Sequence, residues 1–428
     1  MRILYFSSRE CWPVNSGARL RDYYLARHLA GHASVTYVGL TYPGATQYEQ
    51  AGVGLPPPEQ VFERVLLIPK ARAYTPLNLV RGWLGPTPVT VWNCTTPEIA
   101  RALAKLGRET AFDSIQMEGV HLVRYVPVLR AFPGHPPIVC DWHNIESELM
   151  WRYSENVASP PRRWYARRTA ALIEGAEAEL LRAADVHTVV SAREVAKLRA
   201  AVPEADLHVI ENGVDTVYFS DCASGAGVPR NRIVFAASMD YHANIDAAVY
   251  FAREMWPSLR ERLRQQNAVE YRFTIVGRSP AAEVLSLQNL PGIEVTGTVP
   301  DVRPYYREAV AVVVPLRVGG GTRLKILEAM AAGVPVVSTT LGAEGLEVEP
   351  GRDLLLADTP AAIADAITSL LDQPALWRQL SDAGRALVAR TYDWRIVGDR
   401  LFAIHQNAVR REHDAAVPGV GDRFHRAD

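Results

Sequence analysis

The sequence predicts a two-domain α/β protein with parallel sheets, on three observations. Short apolar runs alternate with amphipathic stretches from end to end, as strands joined by crossover helices do. The alternation breaks at the polar, glycine-containing residues 220–227 and then restarts. The 428 residues are also enough for two separate hydrophobic cores.

In the first half, apolar runs at 3–6, 35–38, 65–68, 114–117, 138–140 and 187–190 read as strands. A helix over 18–29 follows the first of them, and a long helix is expected over 162–183. The proline-rich patches 56–58 and 133–137 read as loops. In the second half, strands are expected at 233–236, 273–276, 294–296, 311–314, 336–338 and 354–356, and helices at 361–371 and 376–390. A last helix covers about 394–410, and the polar residues beyond 413 lack periodicity and read as a disordered tail. The expected organisation is a first domain over 1–219, a linker over 220–229, a second domain over 230–393, a terminal helix over 394–412 and a tail over 413–428.

One segment carries the chemistry. VVVPLRVGGGTRLKILEAMAAGVPVVS, residues 312–338, reads as a buried strand, a triple-glycine loop, a short helix, a turn and a second buried strand. Gly319, Gly320 and Gly321 let the backbone approach a ligand closely. The helix beginning near Thr322 offers unpaired N–H groups and the positive end of its dipole, which suit a phosphate. Arg323 and Lys325 add two cations, and Glu328 lies one turn beyond Lys325, placed to accept from a ribose. The loop is neither the G-x-G-x-x-G of a dinucleotide fold nor a Walker loop.

This segment resembles the nucleotide-sugar site of retaining glycosyltransferases of family 4, which have the two-domain GT-B fold. The likeness continues through GTVPDV at 297–302, GAEG at 342–345, PGRDLL at 350–355, TYDW at 391–394 and ENGVD at 211–215. It implies two Rossmann-like domains facing a cleft, with the last helix crossing back to the first domain. It also implies a sugar moved from a nucleoside diphosphate to an acceptor hydroxyl, with no cofactor and no bound catalytic metal. No D-x-D motif is present. By the same resemblance, Gly17 in the loop after the first strand faces the donor. Gly277, Arg278, Val299 and Leu327 join the glycine loop around it, and His143 is the cleft histidine. A neutral His143 imidazole is expected to orient a sugar. Arg19, Glu118 and Asn144 are the expected acceptor-side residues.

Two departures from the family pattern shape the expected chemistry. Many members carry a glutamate eight positions before the one matching Glu328; here that position is Gly320. Many carry an arginine and a lysine in the loop after the first strand of the second domain; residues 237–244, ASMDYHAN, contain neither. Neutralisation of the leaving diphosphate is therefore expected to fall on Arg323 and Lys325. A sugar-nucleotide epimerase on the same fold and a non-catalytic nucleotide-sugar-binding subunit remain alternatives.

The net charge of -1 gives no general attraction to nucleic acid. Cys11, Cys94, Cys140 and Cys222 are scattered without metal-ligand spacing, and a reducing cytoplasm is expected. No apolar run is long enough to span a bilayer. The basic, aromatic stretch containing Arg162, Arg163, Trp164, Tyr165, Arg167 and Arg168 is expected either to touch anionic lipid, suiting a lipid-linked glycan acceptor in surface polysaccharide or glycolipid synthesis, or to form a solvated helix face.

Overall fold

The computed structural model describes residues 1–42, 54–70, 75–222, 229–266, 269–319 and 324–416. Two all-parallel sheets form. The first contains β1 (Arg2–Ser7), β2 (Ser34–Thr41), β3 (Arg64–Pro69), β4 (Ser114–Glu118), β5 (Ile138–Trp142), β6 (Val186–Val189) and β7 (Leu207–Val209), in the order β3-β2-β1-β4-β5-β6-β7. The second contains β8 (Arg232–Ala236), β9 (Arg272–Val276), β10 (Ile293–Gly297), β11 (Ala309–Val314), β12 (Val336–Ser338) and β13 (Leu355–Leu356), in the order β10-β9-β8-β11-β12-β13. In each sheet the order reverses once, at β1/β4 and at β8/β11. Open parallel sheets hold ligands beyond the strand C-termini at such reversals.

Seven helices position the site: α1 (Gly17–Ala30), α2 (Pro76–Leu84), α3 (Glu146–Asn156), α4 (Pro160–Ala183), α5 (His242–Tyr250), α6 (Leu324–Ala331) and α7 (Trp394–Ala416). Every strand expected from the sequence is present. β7 was not anticipated, because three residues are too few for a period. A short helix, Pro58–Val61, sits at the end of the proline-rich stretch read as loop. α7 runs to Ala416, so residues 413–416 are helical rather than part of a disordered tail. Residues 417–428 and linker residues 223–228 lie outside the described residues.

Helix α1 starts where the Ser16 hydroxyl accepts from the Arg19 N–H at 3.4 Å, an N-cap. Its buried face mixes Tyr23, Leu25, Ala26 and Leu29 with Arg21 and Asp22, all wholly inside. Arg21 makes that tolerable. Its Nε and Nη2 each donate to Asp141 at 2.6 Å, and the remaining donors reach Ile210 O and Glu211 O at 2.8 Å and Asn212 Oδ1 at 3.2 Å. One guanidinium thus joins α1, the end of β5 and the chain after β7. Helix α7 then lies along α1: Trp394 stacks on Tyr24 with centroids 5.3 Å apart, and Gly213 is forced by the same ring, since a Cβ there would meet Trp394 at 2.6 Å. Further along α7 the buried His405 bridges Ser114 Oγ (2.7 Å) and Gln116 Oε1 (2.9 Å) on β4. α7 therefore packs on the first domain, although it follows the second in sequence.

Removing Arg21 would leave Asp141 as an uncompensated buried charge, a class of defect costing about 3–5 kcal/mol. Arg21→Met is expected to lower the thermal midpoint accordingly. A melt indistinguishable from wild type would show that this guanidinium does not hold α1 to β5.

Candidate active site in the interdomain cleft

On the first-domain side, β1, β4 and β5 deliver Ser7, Glu118 and His143 to the reversal point. His143 Nε2 lies 2.9 Å from Glu118 Oε2 and 2.8 Å from Asp22 Oδ1. Its N–H is aligned on Glu118, and Asp22 Oδ1 receives charge without an aligned donor. Ser7 Oγ donates to the other Asp22 oxygen at 2.7 Å, and Gln116 Nε2 donates to Glu118 Oε1 at 3.0 Å. Arg9 brings its Nη1 to 3.8 Å from Asp22.

The electrostatics follow from this packing. Burial opposes protonation of His143, but the Asp22 charge and the close polar contacts with Asp22 and Glu118 outweigh it and push the imidazole up to about 9. Burial, then the neighbouring Asp141 and Asp22, raise the Glu118 carboxyl above the usual range. Burial also opposes ionisation of Asp141, yet Arg21 pulls it below that range. Where a neutral imidazole was expected from the sequence, the carboxylates around His143 favour its protonated form. Glu118 is completely covered and acts behind His143 rather than on an acceptor directly. Asn144 is half-buried beside His143. Arg19 turns to its own loop, pairing with Glu10 at 2.9 Å and reaching Pro13 O and Asn15 Oδ1 at 3.4 Å.

On the second-domain side, a cleft of about 600 Å³ brings Gly17, Gly277, Arg278, Val299, Lys325 and Glu328 together, with the loop after β8 as its floor. Gly17 has no side chain to keep Leu324 away; a Cβ there would stand 3.1 Å from Leu324 Cδ1. Gly277 is obligatory, because a Cβ would fall 1.6 Å from Ala237 O. That approach seals the β9 loop onto the β8 loop through Met239 N–H to Arg278 O at 3.0 Å.

The β8 loop has no cation of its own, yet two reach it from neighbours. Arg278 Nε donates to Ser238 Oγ at 3.0 Å, and Lys325 Nζ donates to Asn244 Oδ1 at 2.7 Å. Arg278, expected on the donor side, therefore stands against the loop after β8. Glu328 is held by the Tyr306 hydroxyl at 3.3 Å, and burial raises its carboxyl. Tyr306 had no signal in the sequence beyond an apolar spacing. The Leu327 side chain is fully buried in the second core. The Gly319 carbonyl accepts from Arg152 Nη1 on α3 at 2.9 Å, and Arg152 also pairs with Glu344, so this arginine ties the two domains at the cleft mouth. Gly320, Gly321, Thr322 and Arg323 lie outside the described residues.

Comparison with known proteins agrees with this geometry. Residues 17–218 match the family described as Glycosyltransferase Family 4, and residues 230–373 match Glycosyl transferases group 1. An MMP alpha-(1->4)-mannosyltransferase of Mycolicibacterium hassiacum is 28% identical, over 76% of this chain and 78% of its own. Sucrose-phosphate synthase from Thermosynechococcus elongatus superposes with a TM-score of 0.68 at 18% identity, over 97% of this chain and 100% of the other. Anabaena HepE, solved in complex with UDP, superposes with a TM-score of 0.61 at 16% identity, over 95% and 100%. Two parallel sheets meeting at a cleft, a terminal helix returning to the first and a domain match on each side have one reading: the chain belongs to the GT-B glycosyltransferases, with a family 4 first domain and a group 1 second domain.

Proposed function

We propose that the chain moves a hexosyl group from a nucleoside-diphosphate sugar to an acceptor hydroxyl with retention of configuration, in the synthesis of a glycolipid or surface polysaccharide. The observation that carries this reading is the convergence of Lys325 and Arg278 on the cation-free β8 loop, beside Glu328 and opposite Gly17. As the glycosidic bond breaks, negative charge develops on the leaving diphosphate. Preorganised cations and N–H donors stabilise such charge most when water is excluded. Lys325, Arg278 and the N-terminal turn of α6 are the donors; Arg323 is proposed to join them. Glu328, fixed by Tyr306, accepts from the ribose hydroxyls. The reading needs no cofactor.

His143 supports retention. Carboxylate neighbours that favour the protonated imidazole make it a poor general base for the acceptor's proton, which backside attack would require. Its second N–H is the donor that orients a sugar hydroxyl. The named relative is a mannosyltransferase and HepE was solved with UDP, which makes GDP-mannose and UDP-glucose the first donors to try.

The membrane-facing reading of Arg162–Arg168 gains a second element. Leu77, Val80 and Leu84 lie along α2 and are 58%, 50% and 70% exposed. Arg168 reaches the end of α2 through Gly85 O at 3.4 Å, so this apolar strip adjoins exposed Arg162, Arg163, Trp164 and Arg167. An apolar strip bordered by arginines suits a peripheral contact with anionic lipid. No helix among the described residues is long and apolar enough to cross a membrane.

Three outcomes are expected. With the donor that raises the thermal midpoint, Lys325→Ala and Arg278→Ala each lower kcat by about 10²–10³; turnover near wild type in both would refute the phosphate assignment. His143 has a folded pKa above its unfolded one, so its contribution of about 3 kcal/mol is complete below pH ~6.5 and disappears as pH rises through 9. Wild type should then lose more thermal stability over that window than His143→Gln, in which only the raised carboxyls such as Glu118 still titrate, and parallel curves would show that the pairing with Asp22 and Glu118 is not stabilising. Vesicles containing phosphatidylglycerol should sediment the protein at low salt, and less so a variant with a charge in the apolar strip of α2, such as Val80→Asp; equal binding to neutral vesicles, or none, removes the lipid reading.

A further inference from the structure

We infer a transition-metal site, zinc by the character of its ligands, on the outer end of α1. His28 lies in the last turn of α1 and His32 in the turn just beyond its C-cap Gly31, and Asp399 faces them from α7. His28 Nε2 is 2.8 Å from Asp399 Oδ1 and His32 Nε2 is 3.6 Å from the same oxygen, and the three ligand atoms lie within 4.8 Å of one another. Tetrahedral zinc with bonds of about 2.0–2.1 Å sets neighbouring ligand atoms about 3.3 Å apart, between the two distances observed. Two imidazoles and a carboxylate are a zinc donor set with a position left for water.

Each ligand is positioned by something independent of the others. The His28 ring lies against Gly398, where a Cβ would come within 2.2 Å of its Cγ, so only glycine at that point of α7 admits the ring. The His32 ring stacks on Phe402, with centroids 5.0 Å apart. Asp399 follows Gly398 directly, which brings its carboxylate to the same spot. His28 and His32 themselves line a cavity of about 700 Å³, together with Tyr24, Arg27, Asp215 and Trp394. The site is not catalytic in this position: His28 is eleven residues along α1 from Gly17, roughly 16 Å from the cleft. A bound ion would instead clamp α7 to α1.

The test uses the full chain stripped with EDTA and titrated with Co²⁺, followed by visible absorption, then displaced with Zn²⁺. One equivalent should bind with the intense bands of a low-coordinate site, and Zn²⁺ should raise the thermal midpoint. His32→Ala and Asp399→Asn are both at solvent-accessible positions; each should weaken binding at least about tenfold, since loss of an outer-shell partner alone costs about 10–100-fold. Absence of saturable one-to-one binding overturns the site. So does binding that survives both substitutions and is lost in His143→Asn, which would place the ion at Asp22, Glu118 and His143 instead.

Discussion

The Arg21–Asp141 pair is the constraint on which the first domain's half of the cleft depends. A wholly buried guanidinium is costly unless every donor is met, and here five contacts meet it. Because Arg21 fixes the rotation and height of α1, the next residue has no freedom: Asp22 must point at the ends of β1 and β4. Asp22 then sets the charge state of His143. The pair also explains why α1 has weak amphipathic character. Its inward face carries a salt bridge where a helix of this kind ordinarily carries leucine.

The second domain solves a different electrostatic problem. Its β8 loop, residues 237–244, carries no arginine or lysine, and two cations reach it from neighbouring segments. The glycine at 277 lets two loops touch backbone to backbone, which brings Arg278 within reach of Ser238. Lys325 arrives from the opposite side, from the first turn of α6, and is steadied by Asn244. The positive charge beside this loop is assembled from the segments that follow β9 and β11. Such an arrangement depends on backbone packing, so Gly277 matters to it as much as the charged residues do.

Much of this was legible in the sequence, and the gaps have physical reasons. Parallel strands buried on both faces read as continuous apolar runs, so twelve of the thirteen strands were plain. Residues at strand C-termini, Glu118 and His143, could be placed because chain position fixes them. Arg21, Asp22 and Arg9 could not, since charged residues near a helix start ordinarily face solvent and nothing local marks them as buried. Leu327 was misassigned for a related reason: it lies three residues after Leu324 and next to Ile326, on the face that fills the core, while Lys325 and Glu328 lie on the other. Arg19 and Arg278 show the same limit. A side chain's target depends on which loops come together, and that information is in the tertiary fold.

The terminal helix carries the argument one step further. His405 is fully buried, and burial holds its imidazole neutral, with a pKa of about 3. A neutral ring has one donor and one acceptor, and both are used: Nε2–H donates to Gln116 Oε1, so Nδ1 accepts from the Ser114 hydroxyl. That fixes the Gln116 amide, leaving its NH₂ for Glu118, whose other oxygen faces His143. The sequence of bonds runs from the crossover helix through β4 to the cleft. A segment that packs on the first domain only after the second is complete therefore finishes the polar network behind His143. In this chain the return of α7 organises the site as well as closing the fold.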